Sequence, residues 1–414
     1  MADAARGGAL TPAAPLLPPG APQQPQWPDR EQVEAVRGEL AGRPGLVTEE
    51  ECDDLTKALA LAGTGTQVLH AGDCAERFAD SGSATVARKV AQLDALADLL
   101  RAATGRPAVR IGRLAGQYGK PRSAAWETLP NGRRLPVYRG DAVNDPTPEP
   151  SARRPDPRRL LAAYWHSGRT VAGLRATWAG RPAAERVFAS HEALLLDYEA
   201  PLLRMGWRRY SASAHLLWVG DRTRQLDGPH VALLASISNP VAVKVGPGAP
   251  PEEIAALCRT LNPRRVPGRL TLITRLGAGR VHELLPPLVA AVAATGVPVL
   301  WLCDPMHGNT LRTRDGGKTR PVEWIEQEVA GFVAVLRSAG VAPNGLHLET
   351  TADEVTECYA GPAARACAAR LPRYRSACDP RLDAEQARQI VAGYAALLRA
   401  ARQDSEREVT GCGR

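Results

Sequence analysis

Short apolar runs alternate with longer amphipathic stretches along most of the chain. Two helices are predicted first. Pro28 to Gly42 and Thr48 to Leu61 each carry apolar residues at three- and four-residue spacing, and Thr48 with Glu51 reads as a capping box. Gln67–Ala71 is the first strand, Thr85–Ala102 a helix, and Pro107–Leu114 the second strand. Glu185–Met205 reads as a helix and Ser213–Val219 as the third strand. Asn239–Val245 is the fourth, followed by a helix over Pro251–Leu261. Arg269–Thr274 is the fifth, followed by a helix over Val281–Ala294. Val297–Cys303 is the sixth, with a helix over Pro321–Ala339 behind it. Gly345–Thr350 is the seventh, with a shorter helical piece near Ala352–Cys358. Tyr374–Cys378 is the eighth, and Asp383–Ala401 closes the chain as a helix.

Strand-then-helix units in that number fit a closed parallel barrel better than a doubly wound sheet, which would need a glycine fingerprint after its first strand. The predicted fold class is α/β, a (β/α)8 TIM barrel over residues 63–402 with an N-terminal helical extension over 28–62. Residues 1–27, rich in Pro, Ala, Gly and Gln, read as a loose arm, and 403–414 as a tail.

Composition narrows the function. The longest uncharged apolar run, Leu284 to Cys303, is broken by Pro286, Pro287 and Pro298, so no membrane span is expected. No secretory pattern opens the chain, and a cytoplasmic location follows by default. The cysteines are widely spaced without a CxxC pair, which argues against a zinc ribbon or a disulfide scaffold. The net charge is +8, but the basic residues are scattered, some singly within apolar strands. That placement suits phosphate-bearing metabolites rather than nucleic acid. Only five of the 52 basic residues are lysine, and Lys120, Lys244 and Lys318 fall inside motif-like segments. A lysine surviving such an arginine bias marks a place for a compact ammonium.

In a parallel barrel the chemistry gathers at the C-terminal ends of the strands. Each predicted strand delivers a polar group there, and two sets emerge. Cys74, His307, Glu349 and Asp379 offer sulfur, imidazole and carboxylate donors, which suit a borderline divalent ion. Arg113, Arg222, Lys244 and Arg275 are four cations, more than two carboxylates neutralise, and they call for a polyanion carrying phosphate and carboxylate. Each residue alone has a plain alternative as a buried thiol, a cap or an ion-pair member.

The segments GDCAERF (72–78), RLAGQYGKPRS (113–123), LPVYRGDAVN (135–144), SHEALLLDYE (190–199), WVGDRTRQLDGPH (218–230), NPVAVKVGP (239–247), PGRLTLITRLG (267–277), DPMHGNT (304–310), GLHLETT (345–351), VTEC (355–358) and CDPRL (378–382) stand in this order. Together they resemble the class II, plant-type 3-deoxy-D-arabino-heptulosonate 7-phosphate (DAHP) synthases. The resemblance implies a transferase that condenses phosphoenolpyruvate with D-erythrose 4-phosphate. It implies a divalent metal on Cys74, His307, Glu349 and Asp379, with manganese or cobalt ahead of zinc or iron. It implies phosphoenolpyruvate binding by Arg113, Asp221, Arg222, Lys244 and Arg275, and aldose-phosphate binding by Lys120, Arg122, Ser123 and Lys318. It casts Lys244 and His307 as catalytic, and it suggests a homodimer or larger homo-oligomer.

Two departures matter. Asp221 stands where the family usually has glutamate, which leaves room for a 4-amino-sugar phosphate as the aldose. The stretch between Asn144 and Glu185 is short, like that of compact members serving secondary metabolism, so aromatic amino acids are not expected to inhibit. A remote alternative is a non-catalytic basic binding protein. The proximity of Cys378 to Asp379 also suggests a Cys74–Cys378 disulfide in oxidised, metal-free protein.

Overall fold

The computed structural model describes residues 21–63, 65–129 and 132–411. Eight parallel strands close into a barrel: β1 (Gln67–Gly72), β2 (Ala108–Arg113), β3 (Val187–Glu192), β4 (Leu216–Val219), β5 (Val241–Val245), β6 (Leu270–Thr274), β7 (Leu300–Cys303) and β8 (Gly345–Glu349). Each pairs with its neighbours in sequence, and β8 returns to β1. Eight helices follow the strands: α3 (Ser83–Thr104), α4 (Arg158–Ala176), the short α5 (Leu196–Glu199), α6 (Pro229–Ala235), α7 (Pro251–Leu261), α8 (Val281–Ala293), α9 (Val322–Ser338) and α10 (Ala384–Gly411). Before the barrel come α1 (Arg30–Ala41) and α2 (Glu49–Ala62).

The predicted capping box starts α2: Thr48 accepts from the Glu51 amide, and Glu51 accepts from the Thr48 amide. One face of α2 carries Leu55, Ala58, Leu59 and Ala62 into the barrel interior, against Val109, Phe188, Leu216 and Ile273. The extension therefore plugs the N-terminal end of the barrel and leaves the C-terminal end as the mouth. No helix among the described residues is long and apolar enough to cross a membrane.

Four expectations are corrected. Glu185–Met205 is not a helix. It contains β3, the short α5 and a strand paired in the hairpin Leu203–Met205 with Arg209–Ser211. Val187 to Ala189 is a continuous apolar run buried on both faces, where periodicity does not separate strand from helix. Tyr374–Cys378 is irregular, so the closing strand is β8 at Gly345–Glu349. Ala352–Cys358 forms no helix. Finally, α4 fills the interval between β2 and β3, where no element was expected. The count of eight strands stands, but every strand from the third onward moves up by one.

Residues 1–20 of the segment read as a loose arm, and 412–414 of the tail, lie outside the described residues. Residues 21–27 are tied to the barrel. Gln24 bonds the backbone of Leu194 and Leu196, and the Trp27 indole donates to Asp197 at 2.8 Å. The last helix continues to Gly411, through most of the segment read as a tail.

Candidate active site

Register places the first groups. Gly72 of β1 pairs with Arg113 of β2 on one side and Glu349 of β8 on the other, so both charged residues stand level at the mouth. Gly72 has φ +147°, and a Cβ there would lie 2.9 Å from the Arg113 carbonyl oxygen. Only glycine lets β1 pass that close.

Past Gly72 the chain turns to Cys74, and the loop after β8 brings Asp379 to meet it. Donor atoms of Cys74, Glu349 and Asp379 all lie within 4.8 Å of one another. The Asp379 amide donates to the Cys74 sulfur at 3.1 Å, and the Lys120 ammonium reaches the same sulfur at 3.4 Å. Lys120 also lies 2.8 Å from Asp379 and 3.7 Å from Glu349. Lys318 bonds the other Asp379 oxygen at 2.7 Å. Arg113 and the fully buried Arg320 take the two Glu349 oxygens at 3.0 and 2.7 Å.

The neighbouring groups shift each donor. Burial pushes all three acids upward, yet the net effect goes the other way. Lys120, with Lys318 and Arg320, holds Asp379 well below the usual carboxylate range, and His307, Lys120 and Arg320 do the same for Glu349. A hydrogen bond from the Cys378 thiol, with Lys120, brings Cys74 below an ordinary thiol, while Cys378, the donor of that hydrogen bond and buried, is pushed well up. A divalent ion needs deprotonated sulfur and carboxylate donors, and the surroundings shift all three in that direction, so this donor set fits one.

His307 stands beside that trio rather than within it. Its Nε2 lies 3.2 Å from Glu349 and its Nδ1 2.8 Å from Asp304. Asp304 thereby orients the ring so that Nε2 faces the donors.

The mouth opens as a cavity of about 950 Å³, lined among others by Arg113, Lys120, Arg122, Ser123, Asp221, Arg222, Lys244, Arg275, His307, Lys318 and Asp379. All the residues assigned to the two substrates thus share one chamber. Several of its cations already have carboxylate partners. Lys244 is paired with Asp304, Arg275 with Asp221 at 3.2 Å, and Arg113 with Glu349. Arg222 has no ion pair among the described residues, and it donates to the Ser123 hydroxyl at 2.7 Å. Asp221 also accepts from Arg224 at 3.1 Å and from the Gly246 amide at 3.0 Å.

Several residues lining this chamber or buried just behind it were not singled out from sequence. Asp304 opens the DPMHGNT segment and holds both Lys244 and His307. Arg320 follows Lys318 and is buried against Glu349 and the Pro380 carbonyl. Glu192 lay hidden in the presumed helix. Beneath Arg113 runs a chain of buried groups that sequence does not reveal. The Arg113 guanidinium donates to His347 Nε2 at 2.6 Å, so the His347 proton sits on Nδ1 and points to His70 Nδ1 at 3.0 Å. The His70 proton then sits on Nε2, 2.7 Å from Ser190, whose hydroxyl donates to the Gly112 carbonyl at 2.8 Å. Both rings are neutral, because burial and the neighbouring cations hold their pKa well below the ordinary value.

Known proteins resemble this chain over most of its length. The model of the class-II DAHP synthetase family matches residues 19–186 and 181–395. A probable phospho-2-dehydro-3-deoxyheptonate aldolase of Pseudomonas fluorescens is 43% identical, covering 88% of this chain and 92% of its own. The phospho-2-dehydro-3-deoxyheptonate aldolase of Streptomyces coelicolor is 39% identical over the same shares. AroG, the same aldolase from Mycolicibacterium smegmatis, is 37% identical over 91% and 92%. Among solved structures, a truncated DAHP synthase from Thermotoga maritima aligns over 84% of this chain and 88% of its own. Its 14% identity and TM-score of 0.39 add nothing to the barrel already described. The chain belongs to the class-II DAHP synthetase family.

Proposed function

We propose that this chain condenses phosphoenolpyruvate with D-erythrose 4-phosphate, giving DAHP and inorganic phosphate. The observation that carries this reading is the meeting of Cys74, Glu349 and Asp379 within 4.8 Å beside a cavity lined by cations. A divalent ion held by these three, with His307 next to them, would supply Lewis acidity for the aldehyde oxygen.

The remaining work falls to the chain's own residues. Arg113, Arg222, Lys244 and Arg275 hold the phosphate and carboxylate of phosphoenolpyruvate. Lys120, Arg122, Ser123 and Lys318 hold the aldose phosphate. Fixing both anions brings C3 of phosphoenolpyruvate to the aldehyde carbon as an intramolecular encounter. As C3 bonds, positive character develops at C2, and water adds there. The cations offset the shifting negative charge, and phosphate departs by C–O cleavage.

The purified chain, given both substrates and manganese or cobalt, should consume phosphoenolpyruvate and release phosphate and DAHP in equal amounts. A chelator should stop all three changes. Phosphate release without uptake of the aldose sinks the reading, and no turnover with either metal favours a binding protein.

A second reading has one observation in its favour, the shorter acid at position 221. Its side chain is tied to Arg275, Arg224 and the Gly246 amide. On this reading the aldose is a 4-amino-sugar phosphate, and competing the two aldoses in one assay decides between them. We also place the enzyme in the supply of secondary metabolism, free of aromatic inhibition, on the strength of the short stretch between Asn144 and Glu185. Loss of rate at micromolar tryptophan overturns that placement.

A further inference from the structure

The acids around the cavity fall into two kinds. Asp379 holds Lys120 and Lys318, and Glu349 holds Arg113 and Arg320. Asp304 holds Lys244 and His307. Asp221 holds Arg224 and Arg275, and Glu127 holds Arg153 at 2.6 Å. Carboxylates bonded in this way keep their charge and are poor carriers of a proton.

Glu192 is the exception. It sits at the end of β3, level with Trp218 of β4, and it lines the cavity. No hydrogen bond or ion pair reaches its carboxyl group among the described residues, and its Oε1 is buried without a partner. The space it occupies depends on Gly220, since a Cβ there would lie 2.2 Å from Oε1. A buried carboxyl oxygen left unbonded costs free energy when ionised and less when protonated. Burial accordingly holds the Glu192 pKa above the ordinary carboxyl value, against the pull of Lys120, Lys244, Arg113 and His307. The uncommitted acid of the chamber is therefore held toward its neutral form, the state of a proton donor.

We propose that Glu192 is the proton carrier of the condensation, giving its proton to the aldehyde oxygen and recovering one from the water that adds at C2. The proposal rests on the reaction assigned above. In the first step the C3–C1 bond forms, the aldehyde π electrons move to oxygen, and the Glu192 proton makes that oxygen a hydroxyl. Glu192 is now a carboxylate beside the electron-poor C2. Water adds to C2 and gives a proton to Glu192, which restores the acid. The C2–O bond to phosphate then breaks with its electron pair going to phosphate. The new hydroxyl on C2 becomes the keto group, and its proton leaves with the phosphate. Protons and charge balance over the cycle with no other reagent.

The test uses two variants of the full chain with its metal. Glu192→Gln keeps the shape and cannot cycle a proton. It should lose about 10²-fold or more in kcat, with the KM for phosphoenolpyruvate changed less than about threefold. Glu192→Ala leaves a small gap, and added formate should restore its kcat by about tenfold in a saturable way, without helping Glu192→Gln. Thermal unfolding of both variants near the parent temperature confirms that the barrel is intact. A kcat for Glu192→Gln within about threefold of the parent overturns the proposal. So does an Ala variant that formate does not rescue, since Glu192 would then be only a positioning residue. A parent enzyme that fails to join the two substrates overturns the reaction instead, and that failure is seen before either variant is made.

Discussion

At the floor of the cavity Arg113 is bonded to the Asp73 carbonyl, to His347 and to Glu349, and it lies over the Trp218 ring with its carbon 5.2 Å from the centroid. At the rim Arg222 is exposed and donates to the Ser123 hydroxyl. The two residues have the same chemistry and the same proposed ligand, yet they are built on different terms. The floor guanidinium is fixed before substrate arrives, so binding there orders nothing further. The rim guanidinium keeps its rotamer freedom in water and loses part of it on binding. The floor should therefore set orientation, and the rim should add attraction that salt screens.

Breaking the floor should have the largest effect. Arg113→Met strips one cation from Glu349 and the donor from His347, a buried loss on the order of 3–5 kcal/mol. Under the proposed reaction kcat/KM for phosphoenolpyruvate should fall by about 10²- to 10⁴-fold, with a lower unfolding temperature. Arg222→Met should cost on the order of 1 kcal/mol, about fivefold in the same ratio. Equal losses in the two variants would erase the distinction between floor and rim.

The next effect is one of pH. Lys244 is buried, and burial together with nearby Arg113 lowers its pKa to about 8 in spite of Asp304 and Glu349. The ammonium is lost as pH rises through that value, while phosphoenolpyruvate keeps its full charge. Affinity therefore weakens in the alkaline direction, and kcat/KM should drop about tenfold per pH unit above 8. Lys244→Arg should flatten this limb, because a guanidinium stays charged. A profile that stays level to pH 10 in the parent enzyme contradicts the assignment.

A smaller effect should come from the chain of groups under Arg113. His70→Leu removes the acceptor for the His347 proton and should raise the KM for phosphoenolpyruvate about tenfold, at an expected 1–3 kcal/mol. His70→Asn presents a carbonyl oxygen near the old Nδ1 and should recover most of that loss. A parent-like KM for His70→Leu, with a raised KM for His70→Asn, would mean that packing alone positions Arg113.

The difference between floor and rim also marks what the sequence discloses. Strand ends are legible because a charged residue in an apolar run, such as Lys244 within Val241–Val245, is too costly to be accidental. The meeting of Cys74, Glu349 and Asp379 is legible although the strand expected just before Asp379, Tyr374–Cys378, does not form. The loop bearing Asp379 is held to Cys74 by a backbone amide, which leaves no trace in residue pattern. β3 was hidden for the opposite reason. Its run Val187 to Ala189 is apolar on both faces and passes for a helix, and Glu192 was lost with it. The extra strand at Tyr374–Cys378 offset the missing one, so the strand count agreed while the order behind it did not. The proton positions in His347 and His70 follow only from distances. Residue types alone do not show which nitrogen faces which partner.

Ser123→Ala should have the smallest effect, and it probes the boundary itself. The residue belongs to the segment assigned to the aldose phosphate, yet its hydroxyl accepts from Arg222, which is assigned to phosphoenolpyruvate. Removing one exposed hydrogen bond costs on the order of 0.5–1.5 kcal/mol, about two- to tenfold. If the floor carries phosphoenolpyruvate, that loss falls on the aldose: its KM rises while the other stays within about twofold. Raising the ionic strength should then shrink the gap between variant and parent, because the contact lies in water. A larger rise for phosphoenolpyruvate would mean that Arg222, once released from Ser123, no longer meets its anion. The rim would then share in orienting that substrate, and Arg113 would not set its position alone.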